Sequence, residues 1–176
     1  MTDDHKVAAD ATYVVTMNGR TTFELTHSPG SPKEAELETL LGRLDGRARF
    51  AILVGKLPDD MPFDRVDLEV EPAAYLQCAG GVSGRFTCEI RSIDAAGRPV
   101  HEIVGRRNSS ADSGSGNETI AYSEFETSVE AHEVLAMSDA RDLLLAYLAT
   151  GETPASYTKR RVTSSYRVEP PPPKPE

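Results

Sequence analysis

The apolar and polar positions alternate along residues 12–26, TYVVTMNGRTTFELT. Near the middle of this segment lie Asn18 and Gly19, two residues that accept the positive φ angles of a tight turn between strands. Alternation on both sides of such a pair is typical of two antiparallel strands joined by a short loop. The pattern therefore predicts an opening β-hairpin.

The apolar spacing changes to a helical period in residues 31–46, SPKEAELETLLGRLDG. Ser31 can cap the start of a helix, Pro32 suits the first helical position, and Glu34 completes a capping box. One apolar stripe follows at helical spacing, formed by Leu37, Leu40, Leu41 and Leu44. We expect a first helix that ends at Gly46.

Several further segments have the length and pattern of strands. Residues 49–55, RFAILVG, are almost continuously apolar and predict a central strand covered on both faces, with the two helices as candidates for the cover. After a turn-rich loop at 57–64, residues 65–71 alternate and predict a strand with one wet face. Another strand is expected at 99–105, and one or two more, poorly placed, within 119–137.

Residues 74–91, AYLQCAGGVSGRFTCEIR, predict a second hairpin together with its register. A turn centred near Ser83 gives one apolar face, with the pairs Leu76 and Ile90, Cys78 and Cys88, and Gly80 and Phe86. The other face is polar and is expected to point outward, with the pairs Tyr75 and Arg91, and Gln77 and Glu89. The two thiols are close enough to oxidise in this register, but a reducing compartment favours free core thiols.

Residues 138–154, SDARDLLLAYLATGETP, predict the second helix. Ser138 is expected at its N-cap, Asp139 lies in the first turn where the helix dipole favours a negative charge, and Gly151 ends the helix. The expected packing face consists of Ala140, Leu143, Leu144, Tyr147 and Leu148, and the expected solvent side of Arg141, Asp142 and Glu152. Residues 156–169 predict a short strand at a sheet edge.

These elements predict an α+β fold, a mostly antiparallel sheet of about six to eight strands with two helices packed on it. The 176 residues suit a single domain at 11–168 that follows a flexible N-terminus at 1–10. The Ser/Gly/Asn-rich segment 106–118 predicts a mobile loop, and residues 169–176 a disordered proline-rich tail.

The formal net charge of −9 bears on the partner. The negative charge argues against direct nucleic-acid binding. Two interpretations remain open: the charge keeps the protein in solution, or it attracts a basic protein partner. The segment from Asp59 to Glu71 contains six acidic residues and one basic residue. The segment from Glu118 to Asp139 contains six acidic residues and no basic residue. Without a secretion signal or a membrane span in the sequence, we expect a cytoplasmic protein with no membrane contact.

The sequence offers little catalytic chemistry. Two cysteines without CxxC spacing and four scattered histidines predict no metal site and no cofactor. The SGSG segment at 113–116 lacks the spacing of a phosphate-binding loop. His132 lies between Glu130 and Glu133, so a small enzyme that uses His132 as a base is a rival hypothesis.

The segment EVLAMSDARDLLLAYLATGETPASY, residues 133–157, resembles the C-terminal signature of the Imm1 family of bacterial immunity proteins. In that family a short strand leads into an Asp-Ala-Arg helix that ends in F-x-A-T-G-x-x-P. The matching residues are Val134 to Met137, Asp139, Ala140, Arg141, Tyr147, Leu148, Ala149, Thr150, Gly151 and Pro154. The resemblance implies a cytosolic, non-enzymatic antidote that covers the active site of a toxin domain, often a deaminase or nuclease.

The candidate contact residues come from charge and register. A toxin that acts on nucleic acid presents a basic groove, so an acidic inhibitor can take the place of phosphates. The expected contacts are Asp59, Asp60, Asp64, Glu124, Glu126, Glu130 and Glu133, with Tyr75, Gln77, Glu89 and Arg91 on the outer hairpin face. A third hypothesis is an adaptor whose proline-rich tail docks in an aromatic groove.

Overall fold

A computed structural model of the chain describes residues 12–25, 32–58, 61–68, 72–107 and 116–162. Within these ranges the chain forms nine strands and two α-helices, which confirms the predicted α+β class with one strand more than the upper expected number. The strands are β1 (Tyr13–Met17), β2 (Thr21–Leu25), β3 (Ala51–Lys56), β4 (Tyr75–Gly80), β5 (Phe86–Ile93), β6 (Pro99–Arg106), β7 (Asn117–Tyr122), β8 (Phe125–Glu130) and β9 (Tyr157–Val162). The helices are α1 (Lys33–Leu41) and α2 (Met137–Thr150).

Seven strands form one antiparallel sheet in the order β2-β1-β3-β4-β5-β6-β9, and β7 and β8 form a separate antiparallel pair. The predicted first hairpin is confirmed, because Asn18 and Gly19 have φ angles of 54° and 65° at the turn between β1 and β2. The edge strand expected near the C-terminal end is confirmed as β9.

The predicted β4–β5 register is confirmed at every named pair. Cys78 lies opposite Cys88 and Leu76 opposite Ile90, while Gln77 lies opposite Glu89 on the other face. The register follows from alternation, since a slip of one residue would turn the apolar set away from the core.

The two helices agree with the sequence to different degrees. Helix α2 has the predicted buried face and ends at Gly151, which has a φ of 75°, but it begins at Met137 rather than after Ser138. Helix α1 ends at Leu41, so the prediction that it continues to Gly46 is wrong. The reason lies in the following loop, where the Asp45 carboxylate accepts hydrogen bonds from backbone N–H groups further along the chain and turns it early.

Both helices pack on the same face of the large sheet, in one core that includes Ile52, Leu76, Cys88 and Leu144. The expectation that the helices cover both sides of β3 is therefore wrong. The opposite face is covered by the β7–β8 pair: Ile120 and Val129 pack on Ile103, and Tyr122 packs on Phe50, Ala51 and Ala79. The fold has three layers, namely helices, sheet and hairpin.

One predicted strand is not found. Phe63–Arg65 form a single 3-10 turn, and residues 66–68 are not in a strand, while 69–71 lie outside the described residues. The predicted flexible N-terminus, the proline-rich tail and most of the predicted mobile loop also lie outside them. Neither helix in the described ranges has the length and apolar character that a membrane-crossing helix requires.

Candidate functional site

The polar face of the β4–β5 hairpin, expected to point outward, is buried. Tyr75, Gln77 and Glu89 are only 1%, 5% and 7% exposed, and Arg91 is half-buried. The prediction that these residues form a docking surface is not supported, because the β7–β8 pair covers part of this face and Tyr122 stacks on Phe50 with ring centroids 6.1 Å apart.

This covered face holds an internal polar cluster instead. The Oε1 atom of Glu89 lies 3.2 Å from Nδ1 of His101, and the Arg91 guanidinium lies 5.9 Å from the centre of the Tyr75 ring. A small cavity of about 20 Å³ is lined by Gln77 and Glu89 on the sheet and by residues of the hairpin, which is room for about one water molecule. The polar residues on this face therefore contact one another inside the fold.

Glu133 is also buried, with no exposed surface, so its predicted contact with a partner is not supported. Arg160 in β9 donates two hydrogen bonds to its carboxylate, Nε to Oε1 at 2.6 Å and Nη2 to Oε2 at 2.7 Å. The backbone N–H of Glu130 donates a third at 2.8 Å. The hydrogen bond to Glu133 raises the pKa of Arg160. Glu133 thus joins the edge strand to the turn that precedes α2.

His132 lies beside this ion pair. Its Nδ1 atom is 3.5 Å from Oε2 of the exposed Glu130, and its ring packs against Gly105, where a Cβ atom would not fit. Glu130, His132 and Glu133 bring one ligand atom each within 4.8 Å of one another, a donor set that a metal ion accepts. Both oxygens of Glu133 already accept from Arg160, so a cation would have to displace that guanidinium.

Further acidic residues of the segment 118–139 are paired with arginines from distant parts of the chain. Arg85 lies 2.7 Å from Glu118, and the Arg106 guanidinium donates to Asp139. Burial alone would raise the pKa of Asp139, but hydrogen bonds from Arg106 and from the backbone of Ala136 outweigh burial and lower it. Arg85, Arg106 and Arg160 therefore offset part of the negative charge of this segment in the fold.

The exposed acidic residues that remain in this segment centre on the tip of the β7–β8 hairpin. Glu124 and Glu126 are exposed, and between them Phe125 is 45% exposed. The Phe125 ring centroid lies 6.3 Å from that of Tyr122. We call Glu124, Phe125 and Glu126 the hairpin tip. The charges of the sequence predict the two glutamates as contacts but not Phe125, because an aromatic residue in an alternating strand is expected to face a core.

The other predicted acidic contacts lie elsewhere. Asp64 is exposed in the 3-10 turn Phe63–Arg65. Asp59 and Asp60 lie outside the described residues. Of these three acidic residues, the described part of the chain thus shows the exposure of Asp64 alone.

The residues that carry the family resemblance make contacts within the fold. Asp139 accepts a hydrogen bond from the Ala136 N–H at 2.8 Å, and Arg141 joins α2 to α1 through Glu38 at 2.7 Å. Gly151 ends α2, and the carbonyl of Pro154 accepts from the N–H of Tyr157 at 3.0 Å.

Comparison with protein-family models and with curated proteins gave no match.

Proposed function

We propose that this chain is a non-enzymatic immunity protein, which binds a bacterial toxin domain of the deaminase or nuclease type and blocks its active site with acidic side chains. The observation that carries the proposal is the hairpin tip, where an exposed aromatic residue lies between two exposed glutamates along the chain. The resemblance of residues 133–157 to Imm1 proteins is its second support.

The chemistry of the hairpin tip suits a basic, partly apolar partner. Aromatic side chains at the centre of an interface supply much of its binding energy when they enter a pocket. Carboxylates around such an anchor attract a basic groove and disfavour acidic partners. A toxin that must hold nucleic acid offers this kind of groove.

The hairpin tip is also held in place before a partner arrives. Tyr122, Ile120 and Val129 fix the hairpin on the sheet, and the N–H of Ser123 donates to the carbonyl of Gly46 at 2.7 Å. A rigid anchor loses less conformational entropy on binding than a mobile loop does. The hairpin tip is therefore preorganised to bind a toxin surface.

Co-expression with a toxin domain encoded beside this chain tests the proposal. The parent should restore growth, whereas a variant with Phe125→Ala, Glu124→Lys and Glu126→Lys should bind the toxin roughly a hundredfold or more weakly and fail to protect. Matched controls are Ile93→Ala, an apolar side chain 42% exposed elsewhere, and Glu152→Lys beyond the end of α2. Undiminished toxin binding by the tip variant would refute the proposal.

The rival enzyme hypothesis rests on the proximity of His132 to Glu130. The same growth assay separates the two, since His132→Ala should still bind the toxin and protect the cell if the protein works by binding alone. Loss of protection with retained toxin binding would favour the enzyme. The adaptor hypothesis predicts that deletion of residues 170–176, which lie outside the described residues, abolishes activity, and we expect full protection.

A further inference from the structure

A depression with a volume of about 410 Å³ lies where the β1–β2 turn, the end of α1 and the loop before β3 meet. Three arginine side chains line it, Arg20, Arg43 and Arg49. Its remaining lining residues are Met17, Asn18, Thr21, Leu40 and Ala48. Three cationic side chains thus surround one concavity on a chain whose net charge is −9. We call this feature the arginine depression.

The backbone that carries these arginines is fixed by side chains. The Asn18 amide donates to the carbonyl of Ala48 at 2.7 Å and accepts from the N–H of Phe50 at 2.9 Å. The Asp45 carboxylate accepts from the backbone N–H groups of Arg47 at 2.8 Å and Arg49 at 3.0 Å. The loop therefore holds its shape without a ligand, as a preorganised site does.

The guanidinium groups of the arginine depression have one recorded acidic neighbour, Asp45, whose carboxylate accepts from the Arg49 backbone N–H and attracts the Arg49 charge but forms no ion pair with its guanidinium in the described residues. In the part of the chain that the structure describes, the recorded ion pairs place no carboxylate within 4.0 Å of the guanidinium of Arg20, Arg43 or Arg49. Arginines elsewhere, such as Arg141 and Arg160, do have carboxylate partners. Like charges around one concavity repel, and an anion bound between them relieves this repulsion.

We propose that the arginine depression binds a small phosphate-bearing molecule of nucleotide size. Guanidinium groups present planar pairs of N–H donors that match the oxygens of a phosphate. The volume lies in the range of small-molecule sites, and Met17 and Leu40 offer apolar contact to a ring beside the phosphates. The proposal does not rest on the immunity function. The sequence did not indicate it because the arginines belong to separate elements and match no phosphate-binding motif.

Calorimetric titration of the full chain at about 0.15 M salt, where charges outside the site are screened, with inorganic phosphate, pyrophosphate and ADP tests this proposal. We expect saturable one-to-one binding, with pyrophosphate and ADP tighter than phosphate because they reach more guanidinium groups. Arg43→Gln with Arg49→Gln should weaken ADP binding roughly tenfold or more. Both side chains are exposed, and a thermal melt checks that the variant stays folded.

Two controls separate the arginine depression from general charge attraction. Arg47 is exposed in the same loop but does not line the depression, and Arg98 is exposed in the β5–β6 turn. Arg47→Gln and Arg98→Gln should each leave ADP affinity within about twofold of the parent, because neither side chain lines the depression and surface charges outside it are screened by salt. The proposal is overturned by a lack of saturable binding below about 5 mM. It is also overturned if Arg47→Gln lowers ADP affinity as much as the double variant does. Binding of a short single-stranded RNA that ADP does not displace would overturn it as well.

Discussion

Arg160 pairs with Glu133 through two hydrogen bonds, and the carboxylate beneath it has no exposed surface. The contact fastens β9 to the 3-10 turn Ala131–Glu133 and so holds the sheet edge to the segment that starts α2. Because the two residues come from separate elements, their pairing depends on the complete fold.

Arg160→Met should destabilise the protein by about 3 kcal/mol, since it leaves a buried carboxylate without its cation. Urea unfolding at pH 7 measures the free energy of unfolding. Adding Glu133→Gln to Arg160→Met should recover part of the loss, because the amide removes the uncompensated charge. Arg161→Met, at an exposed neighbouring position, should stay within about 0.5 kcal/mol of the parent. Additive losses in the double variant would contradict the pairing.

The facing thiols of Cys78 and Cys88 should be inert in the folded protein. Both are free and fully buried, and burial raises the pKa of the Cys88 thiol well above its ordinary value, with a further contribution from Cys78. A reagent that alkylates cysteine thiolates at pH 8 should therefore label neither residue until urea unfolds the chain. Ser128→Cys, on the exposed side of β8, serves as a reporter that reacts at once. Rapid labelling of the native parent would show that the β4–β5 core opens.

Asp139→Asn should lower stability in a pH-dependent way. The folded-state pKa of Asp139 lies below its ordinary 3.8, so its ionised form adds stability above that pH, and this stability is lost as pH falls through the folded-state pKa. At pH 7 we expect a loss of about 1–2 kcal/mol, from the hydrogen bonds to Arg106 and to the Ala136 N–H. Unfolding measured from pH 7 down to about pH 2 should show the variant and the parent converging as the pH falls below 3.8. The exposed Asp142→Asn should show no such convergence.

Gly46→Ala should be far more harmful than Gly97→Ala. Both glycines have φ near 75°, which strains any residue with a side chain, so each change costs about 1 kcal/mol or more. Gly46 also lies against the backbone of Val82, where a Cβ atom would not fit, whereas nothing lies within 4 Å of a Cβ at Gly97. Thermal melting should therefore rank the parent above Gly97→Ala and Gly97→Ala above Gly46→Ala. Equal melting temperatures for the two variants would mean that the packing around Gly46 yields easily.

Local patterns were sufficient to predict much of the fold. Alternation fixed the pairing of Cys78 with Cys88, and helical spacing identified the buried face of α2 that includes Leu143 and Leu144. Both depend on residues close in sequence, where period and turn chemistry determine the structure. The end of α1, which was predicted wrongly, also depends on residues close in sequence, because the turn held by Asp45 competes with the helix before Gly46.

Long-range contacts explain what the sequence did not predict. Gln77 and Glu89 were expected to face solvent because they are polar, yet a hairpin from a later part of the chain covers them and they lie in an interior polar cluster. The charge of Glu133 was counted as surface charge because its partner Arg160 belongs to a different element. The arginine depression was missed for the same reason, since folding alone brings its three arginines together.

The pairing of β6 with β9 also has a consequence during synthesis of the chain. Arg106 pairs with Tyr157, and β7, β8 and α2 all lie between them in sequence. A ribosome therefore completes β6 well before the strand that covers it. In that interval the nascent chain presents an open row of backbone N–H and C=O groups, which another unfinished copy on the same message can pair with. Until β9 is synthesised, the edge of β6 is therefore open to pairing with another chain.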